Sequence, residues 1–444
     1  MKKFQTQIIL SVPAAIFLMV GAFFMANVPM PEWSSYASAA AIVLFAAPSF
    51  WVVRRWLGWR DGTVFIAVLG IYAILIESSA IATGFPYGHF DYTDHLGYRI
   101  LGYAPWTVAF AWTPLILGSY AVAANVSESR LGRVVLCTII LVLFDMVLDP
   151  GAVYLDFWEY QGGGWYYDVP ISNFGGWLFS GFAGSIIIEI MISKFRPLLP
   201  TPIQLSVSAI FIVFFWTAFS FFAGMEEPAL LGILLVFGML MLYRRFHYSF
   251  EEMVVLVDDE NRPKRTELKH IAHNGYTKLH RAFSVFLFDR SGRLLLQQRA
   301  LSKQTWPGVW SNSCCGHLML HESVAAAARR RLKYELGISG VDLRTILPDF
   351  RYTAEKDGIV ENEICPVLVG VFDGSLRPNP DEVESVEWVD WNEFLERATA
   401  PETDISPWAV EEALLLEKSR EFQDLLSSKG VSLDRGDKDR TARA

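Results

Sequence analysis

Cysteine and histidine are scarce in this chain of 444 residues, and the chain has no internal repeat. Five of its eight histidines fall between His270 and His321. The chain also lacks a basic stripe, which argues against a nucleic-acid partner. The cysteines have no framework spacing, which argues for reduced thiols and against a disulfide framework. They are Cys137, Cys314, Cys315 and Cys365.

Charged residues are nearly absent from the long apolar runs that fill the first 245 residues. The whole chain is 52% hydrophobic and 14% aromatic, and hydrophobic residues are most concentrated in these first 245 residues. Most of these runs reach the roughly 20 residues that a helix needs to cross a bilayer. A cleavable signal peptide is not expected, because the first run is long and more follow it. The runs cover 8–27, 37–53, 63–83, 104–124, 134–153, 171–193, 204–223 and 229–243.

Lysine and arginine are distributed unevenly between the loops that join these runs. One set of alternate loops carries eleven of them, whereas the opposite set carries Arg99 alone. This asymmetry predicts an integral protein of the cell membrane with both termini in the cytoplasm. The eleven are Lys2, Lys3, Arg54, Arg55, Arg60, Arg130, Arg133, Lys194, Arg196, Arg244 and Arg245.

The composition changes after about residue 245, where charged residues become frequent and the runs alternate as strands do. About 200 residues are enough for one compact domain. The last stretch is charged and lacks aromatic residues, which predicts disorder. We therefore expect a membrane domain over 1–245, a cytoplasmic domain over 246–428 and a disordered tail over 429–444. The predicted fold is a polytopic all-α bundle of about eight spans followed by an α+β domain.

Potential metal ligands are concentrated in the second domain. His317 ends the run 311–317 (SNSCCGH), His273 and His280 precede it, and Glu361 and Glu363 follow it. Imidazole and carboxylate groups are common ligands of divalent metals. The pattern predicts a divalent metal beside a reactive cysteine.

The segment from Gly316 to Ile338 has the spacing of a Nudix box, a loop–helix–loop that holds Mg²⁺ against a diphosphate. Two of the usual acidic positions are occupied by Arg331 and Tyr334, and Glu335 remains from the hydrolytic pair. A diphosphate site with this composition is better suited to holding a substrate than to cleaving it.

Over residues 254–408 the sequence resembles the type I isopentenyl-diphosphate isomerases, which are Nudix-like enzymes. The matching runs are 279–284 (LHRAFS), 299–303 (RALSK), 306–313 (WPGVWSNS), 315–317 (CGH), 334–337 (YELG), 349–352 (DFRY), 361–366 (ENEICP) and 406–408 (SPW). The resemblance implies conversion of isopentenyl diphosphate into dimethylallyl diphosphate through a tertiary carbocation. Such a reaction needs two acid/base groups beside the substrate.

The resemblance also implies a role for each matched residue. Cys315 and Glu363 correspond to the acid/base pair, Tyr352 to a residue hydrogen-bonded near the acid, and Trp408 to an aromatic that stabilises the cation. A second divalent metal, Mn²⁺ or Zn²⁺, would be held by His273, His280, His317, Glu361 and Glu363. Mg²⁺ would be held by Glu335, and the diphosphate by Lys269, Arg299, Lys303 and Arg331.

Two other interpretations of this domain remain open. One is a membrane-tethered Nudix hydrolase that releases phosphate, against which the residues at 331 and 334 argue. The other is a diphosphate sensor or scaffold without activity. For single residues, Tyr352 and Trp408 could be core aromatics, and Arg331 could be a solvated helix residue.

Three carboxylates lie inside the apolar runs, where ionisable groups are costly and commonly functional. Asp145 and Asp149 are four residues apart and therefore share a helix face. At 1.5 Å per residue, Glu77 and both aspartates lie at about one depth in the outer half of the bilayer. Glu189 is predicted to lie nearer the cytoplasm. The first three are candidate acids.

The segment from Glu77 to Trp177 resembles the integral-membrane carotenoid biosynthesis proteins, through the runs 84–92 (GFPYGHFDY) and 165–177 (WYYDVPISNFGGW). The resemblance implies a carotenoid substrate in the bilayer. An acid that protonates a polyene gives a hydratase when water captures the cation, and a cyclase when an internal alkene does. A structural anchor remains the third possibility.

Overall fold

The computed structural model describes residues 2–29, 31, 33–431 and 433. The chain divides into two compact units between Tyr248 and Ser249. Most of the predicted tail, 429–444, lies outside the described residues. Of its described part, Val431 is buried against the core of the second unit.

In the part that the structure describes, the first unit is built from eight α-helices. They are α1 (Lys2–Asn27), α2 (Ser34–Leu57), α3 (Trp59–Thr83), α4 (Val108–Val126), α5 (Arg130–Tyr154), α6 (Ile171–Phe195), α7 (Val207–Phe222) and α8 (Glu226–Phe246). Among the described residues, seven helical segments are long and apolar enough to cross a membrane, and Val12–Asn27 is a shorter apolar helix. The prediction of a helical bundle with about eight spans is confirmed.

Two short strands join the loops that follow α3 and α5. Strand β1 (Phe90–Tyr92) pairs antiparallel with β2 (Trp158–Tyr160), and Tyr92 lies opposite Trp158. Gly84 ends α3 with a φ of 77°, and an added Cβ would come within 2.8 Å of the His89 ring. Glycine therefore suits this turn, after which the chain enters β1.

Within its described residues, the second unit contains eleven strands and five α-helices. The strands are β3 (Met253–Val257), β4 (Pro263–Leu268), β5 (His280–Phe288), β6 (Arg293–Arg299), β7 (Trp310–Ser311), β8 (Cys314–His317), β9 (Leu343–Leu347), β10 (Arg351–Lys356), β11 (Ile359–Ile364), β12 (Val367–Val371) and β13 (Val383–Asp390). The helices are α9 (Lys269–Ala272), α10 (Val324–Leu336), α11 (Trp391–Ala398), α12 (Pro407–Lys418) and α13 (Arg420–Ser428). The predicted α+β class is confirmed.

Strand β5 is the centre of this sheet and is buried on both faces. On one side it pairs with β3 and β8, and on the other it pairs in parallel with β11 and β12. Successive side chains of a strand point to opposite faces. Phe283 and Val285 accordingly pack in a core with α10, whereas Phe286 and Phe288 pack in a second core with α11, α12 and α13.

Candidate active site

Five side chains that can bind a metal converge at one end of β5. His280 begins β5, and Glu363 of β11 is its direct partner in the parallel pairing. His317 ends β8 and pairs with Ala282 of β5. The alternation of β11 places Glu361 on the same face as Glu363. One ligand atom from each of five residues lies within 4.8 Å of all the others, and the five are His273, His280, His317, Glu361 and Glu363.

Backbone carbonyls set the orientation of two of these imidazoles. Nδ1 of His273 lies 2.7 Å from the carbonyl oxygen of Lys269, and Nδ1 of His280 lies 2.9 Å from that of Lys278. In a neutral ring whose Nδ1–H donates to a carbonyl, Nε2 carries the free lone pair. Both rings therefore offer Nε2 to the centre of the cluster, where this atom could bind a metal.

The cluster also contains buried polar atoms without a hydrogen bond. Nε2 of His273 and Oε2 of Glu361 lie 3.1 Å apart. Within the described part of the chain, neither atom has a hydrogen-bond partner. Buried polar groups are nearly always satisfied, so such atoms call for an explanation. A divalent cation bound by both atoms supplies one, and the donor set of imidazoles and carboxylates fits it.

Glu363 connects this cluster to the rest of the site. Its Oε1 lies 2.9 Å from Nε2 of His317 and 3.2 Å from Nε2 of His280. Its Oε2 accepts a hydrogen bond of 2.8 Å from the Tyr352 hydroxyl. Burial alone would raise the pKa of Glu363, but the contacts with the two imidazoles hold it well below its ordinary value.

Cys315 lies on the opposite side of β5 from Glu363, in strand β8, and pairs with Ser284. Its Sγ is 3.9 Å from Nη1 of Arg299. Burial raises the pKa of the thiol to about 11, and the nearby Arg299 charge opposes that rise. Cys314 points to the other face of the strand, into the core beneath α10. The two adjacent thiols therefore have different surroundings.

Aromatic rings surround the side of the site that contains Cys315. The Trp408 ring lies 5.6 Å from the Tyr352 ring and 5.2 Å from the Trp306 ring. The Trp408 indole donates a hydrogen bond of 3.1 Å to the Ser311 hydroxyl, which fixes its orientation. Cys315 packs against the same core as these rings. They present an apolar wall with π faces beside the thiol.

The Nudix-like helix α10 begins and ends at well-formed caps. The Ser323 hydroxyl accepts from the backbone N–H of Ala326, and Gly337 ends the helix with a φ of 70°. Its last turn carries Glu335, which is fully buried. The Oε1 of Glu335 accepts from Nε of Arg331 at 2.8 Å, and its Oε2 accepts from Nε2 of Gln297 at 3.2 Å.

Four cationic side chains lie close enough to one another to interact. The pKa of Lys269 is below its ordinary value, first because the surrounding protein limits the hydration of its ammonium group and second because three other cations repel its charge. The three are Lys303, Arg331 and Arg299. The Lys269 side chain nevertheless retains contact with solvent. Clustered cations with limited hydration suit an anion with several negative charges.

The sequence did not indicate Glu382, which lies among these cations. Its Oε2 is 2.8 Å from Nζ of Lys303 and 3.1 Å from Nη2 of Arg331. Glu382 lies just before β13, in a loop whose sequence shows no hydrophobic periodicity that would indicate a functional residue. Tertiary backbone hydrogen bonds bring its carboxylate here, from the Asn379 N–H to the Glu335 carbonyl and from the Ala300 N–H to the Glu382 carbonyl.

The three candidate acids of the membrane unit are all buried. Glu77 of α3 accepts a hydrogen bond of 3.1 Å from the Tyr92 hydroxyl. Asn173 of α6 donates to Oδ2 of Asp145 at 2.8 Å and to Oδ2 of Asp149 at 2.7 Å. Glu77 is close enough to Asp149 for their charges to interact. The three form one buried group, in which sequence spacing did not indicate the bridging role of Asn173.

Glu189 lies apart from this group. Its carboxylate accepts from Nε of Arg133 at 2.6 Å and from the Tyr120 hydroxyl at 2.8 Å. A carboxylate with these partners is neutralised within the bundle and has a structural explanation.

Comparisons with known proteins give a match for each unit. Residues 36–239 match the family described as "Carotenoid biosynthesis protein", and residues 278–409 match the NUDIX domain. The isopentenyl-diphosphate Delta-isomerase of Frankia alni is 47% identical over 163 residues, which are 36% of this chain and 84% of that protein. That of Mycolicibacterium vanbaalenii is 47% identical over 167 residues, which are 37% of this chain and 92% of that protein.

Proposed function

Because the chain belongs, through its second unit, to the isopentenyl-diphosphate Delta-isomerase family, we propose that this unit converts isopentenyl diphosphate into dimethylallyl diphosphate. The observation that carries the proposal is the position of Cys315 and Glu363 on strands that flank β5 on either side. A substrate alkene between them has an acid/base group on each of its two sides. An allylic shift requires that arrangement, because one carbon gains a proton while another loses one.

The proposed reaction is balanced in protons. One of the two groups donates a proton to the terminal carbon of the alkene, which forms a C–H bond and leaves a cation at the tertiary carbon. The other group removes a proton from the neighbouring carbon, and the electrons of that C–H bond form the new double bond. Trp408 stabilises the cation with its π face, by about 0.5–2 kcal/mol. Tyr352 positions the Glu363 carboxyl through its hydrogen bond.

Two divalent cations complete the proposed site. The three histidines with Glu361 and Glu363 would hold Mn²⁺ or Zn²⁺, and Glu335 would hold Mg²⁺ beside the diphosphate. When bound, these cations supply the positive charge that offsets the clustered carboxylates and the diphosphate oxygens. Lys269, Arg299, Lys303 and Arg331 bind the remaining diphosphate oxygens.

Incubation of the full-length protein in detergent with isopentenyl diphosphate, Mg²⁺ and either Mn²⁺ or Zn²⁺ tests this proposal. We expect dimethylallyl diphosphate to form without release of phosphate, measured by mass spectrometry and a phosphate assay. Phosphate release would instead support the Nudix hydrolase interpretation. A folded protein that binds the diphosphate but forms neither product would support the sensor.

Replacing Arg331 with lysine is expected to raise KM for isopentenyl diphosphate by about tenfold to hundredfold and to change kcat much less. Lysine keeps the charge but loses the guanidinium fork, and each charge-assisted hydrogen bond contributes about 1.5–3 kcal/mol. Arg329→Lys is the matched control, since Arg329 is exposed on the same helix. An unchanged KM for Arg331→Lys would show that Arg331 does not hold the diphosphate.

We further propose that the membrane unit acts on a carotenoid, which it hydrates or cyclises, with Glu77, Asp145 and Asp149 as candidate acids. The match of residues 36–239 and the burial of these three carboxylates in apolar helices support this. The loop charges support cytoplasmic termini and a cytoplasmic isomerase unit. The mass of the carotenoid product tests the activity. A gain of one water indicates hydration, an unchanged mass with a shifted absorption spectrum indicates cyclisation, and an unaltered pigment indicates an anchor.

A further inference from the structure

The first unit contains a half-enclosed cavity of about 500 Å³ between α1, α2, α4 and α7. Its volume lies within the roughly 300–1,000 Å³ that small-molecule sites occupy. Phe17 and Phe24 of α1 line it and are also strongly exposed. The wall of the cavity therefore continues onto the apolar outer surface of the bundle, from which a lipid-soluble ligand can enter.

The lining of this cavity is almost wholly apolar, with indole rings at several positions. Trp112, Trp158, Trp177 and Trp216 all contribute to it. Among the lining residues that the structure describes, Glu77 is the single carboxylate. Its partner Tyr92 also lines the cavity and contacts the Trp158 ring at 5.8 Å. An acid and several electron-rich rings thus border one apolar space.

Among the buried polar atoms of the lining that have no hydrogen-bond partner within the described residues, two lie on side chains that are themselves buried. They are the Ser34 hydroxyl and the Trp112 indole N–H, on side chains that are 7% and 3% exposed. Most buried polar groups in proteins are satisfied. Their presence in this wall is a second indication, independent of the acid, that the cavity has a ligand.

The other two candidate acids are placed differently. Asp145 and Asp149 do not line the cavity, and both accept from the same Asn173 amide. Asp149 also accepts a hydrogen bond of 2.8 Å from the Tyr160 hydroxyl. These contacts connect α5 to α6 and β2. The aspartates therefore have a positioning role for the wall behind Glu77, and Glu77 is the acid that a ligand can meet.

We propose that this cavity binds one end of an acyclic polyene hydrocarbon and that Glu77, rather than Asp145 or Asp149, carries the proton that the polyene receives. The inference rests on the proposed activity of the membrane unit. The Glu77 O–H bond breaks, a C–H bond forms at one alkene carbon, and the neighbouring carbon becomes cationic between the indole rings. Capture by water or by an internal alkene then releases one proton, which returns to the carboxylate.

The test uses full-length protein in membranes of a host that accumulates lycopene, an acyclic polyene. Glu77→Gln keeps the shape of the side chain but cannot donate a carboxyl proton. We expect it to lower product formation about hundredfold or more, while lycopene still copurifies with the protein. Asp91→Asn is the control, because Asp91 is an exposed carboxylate of β1 that lies next to Tyr92 in sequence and outside the cavity lining. It should leave product formation within about twofold of wild type.

A second variant tests the cavity itself. Ala111 lines it, and Ala111→Trp should fill it and remove copurified lycopene. Because the isomerase site lies in the second unit, folding of the membrane unit is checked separately, by size-exclusion chromatography and thermal unfolding of each purified variant in detergent. Product formation by Glu77→Gln at the wild-type rate overturns the inference while the proposed reaction stands. If wild type binds lycopene without converting it, and Ala111→Trp binds none, the reaction fails while the cavity site stands. Equal lycopene binding by wild type and Ala111→Trp overturns the site.

Discussion

Replacing Cys315 with alanine is expected to lower isomerase kcat by about 10²–10⁴-fold, the usual contribution of one general acid or base. The thiol lies across β5 from Glu363, so its removal leaves one side of the alkene without a proton-transfer group. Substrate binding should change little, because the residues proposed to bind the diphosphate, among them Lys269, Lys303 and Arg331, are unchanged. Steady-state kinetics with isopentenyl diphosphate measure both effects.

Cys314→Ala is the control for this variant. Cys314 is the adjacent residue of the same strand, but it is fully buried beneath α10 and faces away from the site. Its replacement should cost about 1 kcal/mol of stability, as is common for point mutations, and leave kcat near the wild-type value. Equal losses of turnover in the two variants would mean that strand β8 was disturbed and that the Cys315 thiol has no special role.

The sequence named the five side chains that lie close together in this cluster, but it did not show how they meet. Glu361 and Glu363 are two apart in a strand, so their shared face follows from local geometry. His280 and His317 meet because β8 pairs with β5, and Glu363 joins them because β11 pairs with the other side of β5. That pairing is a tertiary property of the sheet, which neither periodicity nor spacing encodes. The family resemblance supplied the residue set, and the sheet register supplies the physical reason for it.

In the membrane unit, too, the sequence predicted local geometry but not the packing between elements. The spacing of Asp145 and Asp149 predicted a shared face, and both do accept from one Asn173 amide. Helix periodicity could not indicate that Glu77 lines the cavity while the aspartates do not. This difference depends on how α3 and α5 are rotated relative to α4 and α7, and a single sequence carries no direct signal of that packing.

Replacing His273 with alanine is expected to remove most of the divalent metal bound by the three-histidine cluster and to lower isomerase turnover at least tenfold to hundredfold. Changes to the residues that support metal ligands already cost about that much. Nε2 of His273 faces Oε2 of Glu361 at 3.1 Å, and neither atom has a hydrogen-bond partner among the described residues, so a cation bound by both would satisfy them. Metal content per chain, measured by inductively coupled plasma mass spectrometry, is a readout separate from activity.

His321→Asn is the matched control for the metal. His321 is exposed, lies outside the cluster and has a φ of 64°, a conformation that asparagine tolerates. Its metal content and turnover should match those of wild type. Chelation should inactivate wild type, and Mn²⁺ or Zn²⁺ should restore it, whereas His273→Ala should recover little at the same metal concentration. A His273→Ala protein that retains both its metal and its turnover would show that the five side chains meet for a structural reason alone.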